Sequence, residues 1–358
     1  MNKTKKSPNK DKSKKALIRN IAILFLSVIL LISGVGCVYA DQMLGRINFV
    51  PLEDPVSKVE TAPIFQEGTA SGDTSAQAGV LGGLYHDDAI TNILVMGVDD
   101  YQPNDPGRSD SMMLVSVDSR HKKLKLTSFM RDMYVAIPGH GSQRLNVAYS
   151  TGGPQLSVST IEANFGTDID RFVLIDYASF SKIVDKLGGV EITLSNDKDK
   201  YGHTEADLIN LYSGDRNRVR TGTNKLSGKQ ALYYSRIRAI GDDFERTERQ
   251  RKVFSSIVNK FKTANLGTVN QALYDILPLV TTNMTKNEVL NMATNALTYL
   301  NYPVSQNRIP ANNEFTSQRV SIGGSPADVL VPDLEKCQKT VADFIYETDL
   351  PSKTYQGK

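Results

Sequence analysis

From Ile21 to Ala40 the chain carries no charged side chain, and twelve of those twenty residues are Ile, Leu, Val or Phe. Near a helix centre each of these favours insertion into hydrocarbon by about 0.3 to 0.6 kcal/mol, and no buried charge opposes them. A run of this length is what a bilayer core requires, so the expectation is one transmembrane helix. Eight basic residues (Lys3, Lys5, Lys6, Lys10, Lys12, Lys14, Lys15, Arg19) and a single acid, Asp11, precede it, and Asp41 follows it. By the positive-inside rule, residues 1–20 form a cytoplasmic tail, and the chain after residue 40 lies outside the cytoplasm of a single-pass cell-membrane protein. Two rival readings are a cleaved secretory signal, whose apolar core is usually shorter and followed promptly by an A-x-A-like site, and a lipid-modified Cys37. Against the second, Gly34 stands where such signals usually carry an apolar residue.

The tail holds +7 of a whole-chain net charge of +3, which leaves −4 for everything else. The chain is thus a basic tail on a mildly acidic body, and its charge implies no nucleic-acid partner. Of its two cysteines, Cys37 falls in the span and Cys337 near the far end. No intramolecular disulfide is expected, so the exterior domain must rely on its apolar core.

Residues 41–88 contain Pro51, Pro55, Pro63 and the stretch QEGTASGDTSAQAG, a composition with little to bury. They read as a flexible linker whose 48 residues reach about 35 to 40 Å from end to end. The folded domain opens at residue 89. Asn92 to Asp99, Ser111 to Asp118 and Leu124 to Met130 have the length and apolar content of strands, the last two joined by SRHKK. A helix is expected from Gly153-Pro154 through Asn164, and a strand over Phe172 to Ile175. Asp176 caps a helix that stops at Gly188-Gly189, and Val190 to Leu194 is a strand. Leu226 to Tyr234 and Phe244 to Phe261 read as helices, and Thr285 with Glu288 forms a capping box for another to about Leu300. Strands interleaved with helices predict an α/β fold, a layered α/β/α domain with a central mixed β-sheet, preceded by the transmembrane helix. Residues 89–265 form its main part, 266–350 complete the same domain, and 351–358 are a tail.

If the connection between Asp99 and Asp110 makes the first two strands antiparallel, those acids lie at one edge of the sheet, with Arg108 beside Asp110. The third strand returns there to end at Arg131 and Asp132. Paired carboxylates among arginines suit a hard divalent ion bridging two phosphates, because Mg²⁺ takes one or two protein carboxylates and leaves its other positions to water and phosphate. The plainer alternative is a set of loop acids capping turns. Further on, YYSRIRAIGDDFERTERQRKV places Arg236, Arg238, Arg246, Arg249 and Arg251 around Asp242 and Asp243. Arginine presents a rigid fork of donors matched to phosphate oxygens, so such a cluster suits pyrophosphate. A solvated helix face laced with pairs such as Asp242 and Arg246 would look the same. On the helix from Phe244, Arg246 and Gln250 share one face, which Val253 and Ile257 continue inward. There is no G-x-x-x-x-G-K-[ST], no H-E-x-x-H and no G-x-S-x-G, and GHGSQ reads as a glycine turn.

The blocks NILVMGVDD, GRSDSMMLVSVD, SFMRDMYVAIPG, RLNVAYSTGG, IDYASFSKIVDKLGGV and LSGKQALYYSRIRAIGDDFERTERQRKV, in that order, resemble the signature blocks of the LytR-CpsA-Psr family of bacterial cell-envelope proteins. The resemblance covers about residues 89 to 265, with a family-like ending around VLVPDLEKC. It implies a transferase that moves an anionic glycopolymer, such as teichoic acid or capsular polysaccharide, from a polyprenyl-pyrophosphate carrier to peptidoglycan through a phosphodiester. It also implies that Asp99 and Asp110 hold Mg²⁺, with Mn²⁺ as the alternative ion. Arg108, Arg131, Arg236, Arg238, Arg246 and Gln250 would contact the pyrophosphate, and Asp243 would act with Arg131 and Arg246, either as a base for the attacking hydroxyl or as an ion pair orienting Arg246. Three departures stand out: Met130 where proline is frequent, Arg144 in a common lysine position, and a shorter stretch between Arg238 and Asp243. Two competing functions use the same residues, a non-catalytic polymer-binding envelope regulator and a pyrophosphatase on the lipid carrier. An apolar pocket for the lipid tail is expected between helices and sheet.

Overall fold

A computed structural model describes residues 41–52, 83–99, 107–263, 266–347 and 353–354. The expected membrane helix at 21–40 lies outside them, and among the described residues no helix is long and apolar enough to cross a membrane. Residues 41–46 belong to a unit of their own and make a helical turn, in which the Gly45 N–H donates to the Asp41 carbonyl at 2.8 Å.

The unit from Ile47 onward begins with β1 (Asn48–Phe49) and β2 (Leu84–Tyr85), two short strands inside the expected linker. It continues with β3 (Ile90–Val98), β4 (Ser109–Asp118), β5 (Lys123–Phe129), the hairpin β6 (Tyr134–Ile137) and β7 (Gly141–Arg144), and α1 (Val147–Phe165). Then come β8 (Arg171–Asp176), α2 (Tyr177–Lys186), β9 (Val190–Leu194), α3 (Glu205–Tyr212), β10 (Gly222–Leu226), α4 (Gly228–Tyr234) and α5 (Asp243–Thr263). The chain ends through α6 (Leu266–Ile276), β11 (Thr281–Thr282), α7 (Lys286–Leu300), β12 (Val304–Ile309), the hairpin β13 (Phe315–Ile322) and β14 (Ser325–Pro332), α8 (Leu334–Tyr346) and β15 (Lys353–Thr354).

Seven strands form the central sheet in the order β1-β11-β8-β3-β4-β5-β12. It is mixed: β3 runs antiparallel to β4 and parallel to β8, and β5 runs parallel to β12. Alternation along β4 separates the two faces, because successive strand side chains point to opposite sides. Met112 and Leu114 pack with Leu94, Met96 and Phe129 against Val158, Ile161 and Phe165 of α1 and Val341 and Ile345 of α8. Met113, Val115 and Val117 join Leu124 and Leu126 against Val258 and Phe254 of α5 and Met292 and Leu300 of α7. Helices therefore cover both faces, the α/β/α arrangement expected. A second core lies under the β9/β10 hairpin, where Val190, Ile192, Leu194 and Leu226 meet Ile209 of α3, Ala231 and Tyr234 of α4 and Val253 of α5.

Most local expectations hold. Asp176 caps α2 by accepting from the Ser179 N–H, and Thr285 and Glu288 make a reciprocal capping box on α7. The helix expected to start at Gly153 instead begins at Val147 and breaks at Gly152-Gly153, where φ is +65° at Gly153 and Pro154 restarts it. The GHGSQ turn closes β6 onto β7. At the start of α4, a Cβ on Gly228 would stand 2.0 Å from the Ser181 carbonyl oxygen of α2. Gly228→Ala is therefore expected to cost about 1–3 kcal/mol by forcing the two helices apart, read as a lower denaturation midpoint; an unchanged midpoint would mean that the α2/α4 contact yields freely.

Candidate functional site

The ladder between β3 and β4 is regular up to Gly97↔Ser111 and then shifts to Val98↔Ser109, leaving Asp110 as the extra residue of a β-bulge. A bulge bends its strand and re-aims the side chain it carries. Both oxygens of Asp110 are engaged: Arg131 Nη1 donates to Oδ1, and the Tyr177 hydroxyl donates to Oδ2 at 2.7 Å. Arg131 arrives from the end of β5, and Tyr177 is the first residue of α2. Asp99 follows β3 at the same edge and is held by the chain opposite, since the Arg108 backbone N–H donates to its Oδ1 at 2.5 Å. Only a glycine fits before Arg108. Gly107 has φ +76°, and a Cβ there would sit 2.5 Å from Asp99 Oδ1.

Asp243, at the start of α5, gathers three arginines. Its Oδ2 accepts from Arg246 Nη2 at 2.9 Å, and its Oδ1 lies 3.5 Å from Arg238 Nε and 3.8 Å from Arg131 Nε. Arg236 joins from above, its guanidinium 4.5 Å from the centre of the Tyr177 ring, a cation–π contact. Arg246 is 2% exposed. Among the described residues, the Nε atoms of Arg131 and Arg246 are buried donors without a hydrogen-bond acceptor. Buried donors left unpaired are rare in folded proteins and call for a ligand or another explanation. Two of them within one cluster of arginines suit an anion with several oxygens.

The charges are arranged to stay fixed. Burial pushes the Asp110 carboxyl up, but the Arg131 guanidinium and the Tyr177 hydroxyl outweigh it, leaving Asp110 below the usual carboxylate range. Burial and then the Asp110 charge push the Tyr177 hydroxyl well up, so it remains a donor. Asp132 moves the other way, raised by burial and by Asp243 against the pull of Arg131. It lies 3.5 Å from Arg131 Nε and 3.7 Å from Arg144 Nε.

The structure thus brings Asp99, Asp110, Arg131, Arg236, Arg238, Asp243 and Arg246 together at one end of the central strands. Arg108 takes part through its backbone, with its side chain exposed. Gln250 lies one turn beyond Arg246, its Nε2 3.5 Å from the Ser235 carbonyl. Two arginines of the expected cluster belong elsewhere. Arg249 is buried against Glu205 at 2.7 Å and donates to the carbonyls of Ile237 and Ile240. Arg251 is buried against Ser128 and Gln306. Residues one, two or five apart on a helix point in different directions, so Arg251 cannot share the face of Arg246, and Arg249, although three residues on, is drawn away by Glu205. Sequence reasoning missed Tyr177, whose signal was its place immediately after the capping Asp176 at the strand end.

As a cation site, Asp99 and Asp110 offer an all-oxygen donor set on adjacent chain segments, and the low proton affinity of Asp110 keeps it anionic. That fits a hard divalent ion with its other positions left to water and phosphate. The larger clusters of acid and imidazole groups among the described residues, His86 with Asp168 and Asp170 and Asp118 with His121 and Glu347, lie toward the opposite ends of these strands.

The LytR_cpsA_psr family profile matches residues 59–338. The chain belongs to the LytR-CpsA-Psr family. It is 33% identical over 188 residues to regulatory protein MsrR of Staphylococcus aureus, a match covering 52% of this chain and 53% of MsrR. It is 33% identical over 176 residues to the polyisoprenyl-teichoic acid–peptidoglycan teichoic acid transferase TagT of Bacillus subtilis, covering 48% of this chain and 53% of TagT. The matches therefore span about half the length of these curated relatives. Among LytR-CpsA-Psr structures, TagT bound to LIIa-WTA superposes with a TM-score of 0.57 at 25% identity over 72% of this chain and 91% of that one. The crystal structure of B. subtilis TagT gives the same score at 22% identity over 84% and 99%.

Proposed function

We propose that this protein is a single-pass membrane transferase that moves an anionic glycopolymer from a polyprenyl-pyrophosphate carrier to peptidoglycan outside the cytoplasm. The observation that carries this reading is the pair of unaccepted buried donors on Arg131 and Arg246 beside the ionised Asp110. TagT, a family relative, is named a teichoic acid transferase. In the reaction, a peptidoglycan sugar hydroxyl bonds to the phosphorus nearest the glycopolymer, the bond from that phosphorus to the bridging oxygen breaks, and polyprenyl phosphate leaves. The hydroxyl proton passes to solvent. Such a transfer depends chiefly on positioning and charge neutralisation. Arg131, Arg236, Arg238 and Arg246 orient the pyrophosphate. Asp99 and Asp110 would hold a divalent cation, Mg²⁺ in preference to Mn²⁺, which supplies further neutralisation when bound.

Asp243 serves here as a brace, because its two oxygens face the guanidinium groups of Arg131, Arg238 and Arg246 and hold them together. Asp243→Asn keeps shape and loses charge, so it should weaken carrier binding about 10-fold and leave residual transfer with the parent's pH profile. Normal carrier binding with no turnover at any pH would instead identify Asp243 as the base.

The function is tested by incubating the full-length protein in detergent with a polyprenyl-pyrophosphate-linked anionic glycan and peptidoglycan oligomers, followed by mass spectrometry. A new phosphodiester, lost on chelation, is the expected product. Release of free glycan phosphate alone would make the protein a hydrolase, and tight binding with no bond made would make it a scaffold.

A further inference from the structure

Beside the arginine cluster lies an aromatic surface that the fold itself leaves unused. Leu211 and Tyr212 end α3, 55% and 62% exposed. The Tyr212 ring stacks on that of Tyr233 in α4, with centroids 5.7 Å apart and planes 27° apart. Tyr233 in turn adjoins the site. The Arg236 N–H donates to its carbonyl at 3.0 Å, and Arg236 acts on its hydroxyl, opposing the upward push of burial and of Tyr212. Tyr212 thus stacks on Tyr233, and three residues after Tyr233 the Arg236 guanidinium lies over the Tyr177 ring, whose hydroxyl is bonded to Asp110. The loop after α3 adds exposed Arg216, Arg218 and Arg220, and Arg218 is tied to the end of that helix by donating to the Asn210 carbonyl at 3.1 Å.

An exposed stacked aromatic pair is a contact surface for ligands with one apolar face. The C–H face of a pyranose ring is such a ligand, drawn to the electron-rich face of a phenol ring. We propose that Tyr212 and Tyr233 form a stacking subsite for the first sugars of the donor glycan, with Arg216 and Arg218 supplying counter-charge to its phosphate or carboxylate groups. The donor is favoured over the acceptor by two observations: Tyr233 lies in the last turn of α4 and its carbonyl accepts from the N–H of Arg236, just past that helix, so a sugar there adjoins the pyrophosphate, and the neighbouring loop is strongly basic. The donor's identity rests on the transferase reading; the sugar-binding surface does not.

The test uses full-length Tyr212→Ala and Tyr212→Phe proteins in detergent micelles, since an exposed position tolerates both. Each is titrated with sugar-free polyprenyl pyrophosphate, with the same carrier bearing an anionic disaccharide, and with a soluble peptidoglycan tetrasaccharide. Tyr212→Ala should bind the sugar-bearing carrier about 10-fold more weakly, the loss of one stacking contact, and the sugar-free carrier as the parent does; Tyr212→Phe should match the parent on both. Unchanged affinity for the sugar-bearing carrier, or equal loss for both carriers, overturns the subsite. Weakening confined to the peptidoglycan fragment assigns the surface to the acceptor and overturns the donor assignment. A parent that shows the Tyr212-dependent preference yet forms no phosphodiester refutes the transferase and leaves the subsite standing.

Discussion

Arg131→Ala is expected to lower the rate of polymer transfer on the order of 10³-fold, the loss typical of removing one preorganised donor from a phosphoryl or acyl transfer site. Arg131 is the group that three carboxylates share. It bonds Asp110 and stands 3.5 Å from Asp132 and 3.8 Å from Asp243. Without it those acids repel one another and any incoming phosphate, and Asp110 loses the guanidinium that holds its carboxyl low. Arg131→Lys should fall between parent and alanine variant, since an ammonium keeps the charge but not the fork that reaches Asp110 and a ligand together. The check is the initial rate of phosphodiester formation, with circular dichroism confirming a folded chain. An alanine variant as active as the parent would remove Arg131 from the mechanism.

The second large effect concerns stability. Arg249 and Glu205, each 5% exposed in their side chains, form an ion pair that ties α5 to the start of α3, and Arg249 also holds the carbonyls of Ile237 and Ile240 in the loop that carries Arg236 and Arg238. Removing one member of a buried pair strands the other charge, at a cost of about 3–5 kcal/mol. Arg249→Met should therefore lower Tm by about 10 °C in a domain of this size and weaken pyrophosphate binding as the loop loosens. Glu205→Gln added to Arg249→Met should recover part of the stability, because no charge is then left uncompensated. If the single variant melts with the parent, Arg249 is not a brace and the surface-arginine reading of this segment returns.

These two arginines show where the sequence stops being informative. Arg246 and Arg249 are three residues apart on one helix with the same chemistry. One meets Asp243 at the sheet edge and the other meets Glu205 in the second core, and nothing before the tertiary contacts separates them. The convergence of Asp99, Asp110 and Arg131 was legible because antiparallel connectivity alone sends those strand ends to one edge. The bulge at Asp110 was not, because an extra residue in a ladder leaves no mark in an apolar pattern. Tyr177 reads as an ordinary apolar start to a helix until its hydroxyl is seen on Asp110. The β13/β14 hairpin had its signal in plain view, Gly323-Gly324 between β-prone stretches, and its absence from the sequence-based expectations reflects an unread turn and no hidden physics.

The pairing order of the sheet sets a timetable for the molecule. β3, β4 and β5 are joined by local antiparallel pairings, but the outer strands come from far away: β1 joins β11 through Asn48↔Thr281, and β12 joins β5 through Val304↔Leu124. Contacts that close long loops form late. They also open early, so the Val50 amide, bonded to the Thr282 carbonyl at 2.9 Å, should exchange its hydrogen sooner than the amides of Leu94 and Leu114 at the sheet's centre. During synthesis the meander that carries Asp99, Asp110 and Arg131 is complete well before α5 brings Asp243 and Arg246 to meet it. A nascent chain therefore exposes the acids with Arg108 and Arg131 but not the finished arginine cluster, which waits on the last third of the polypeptide.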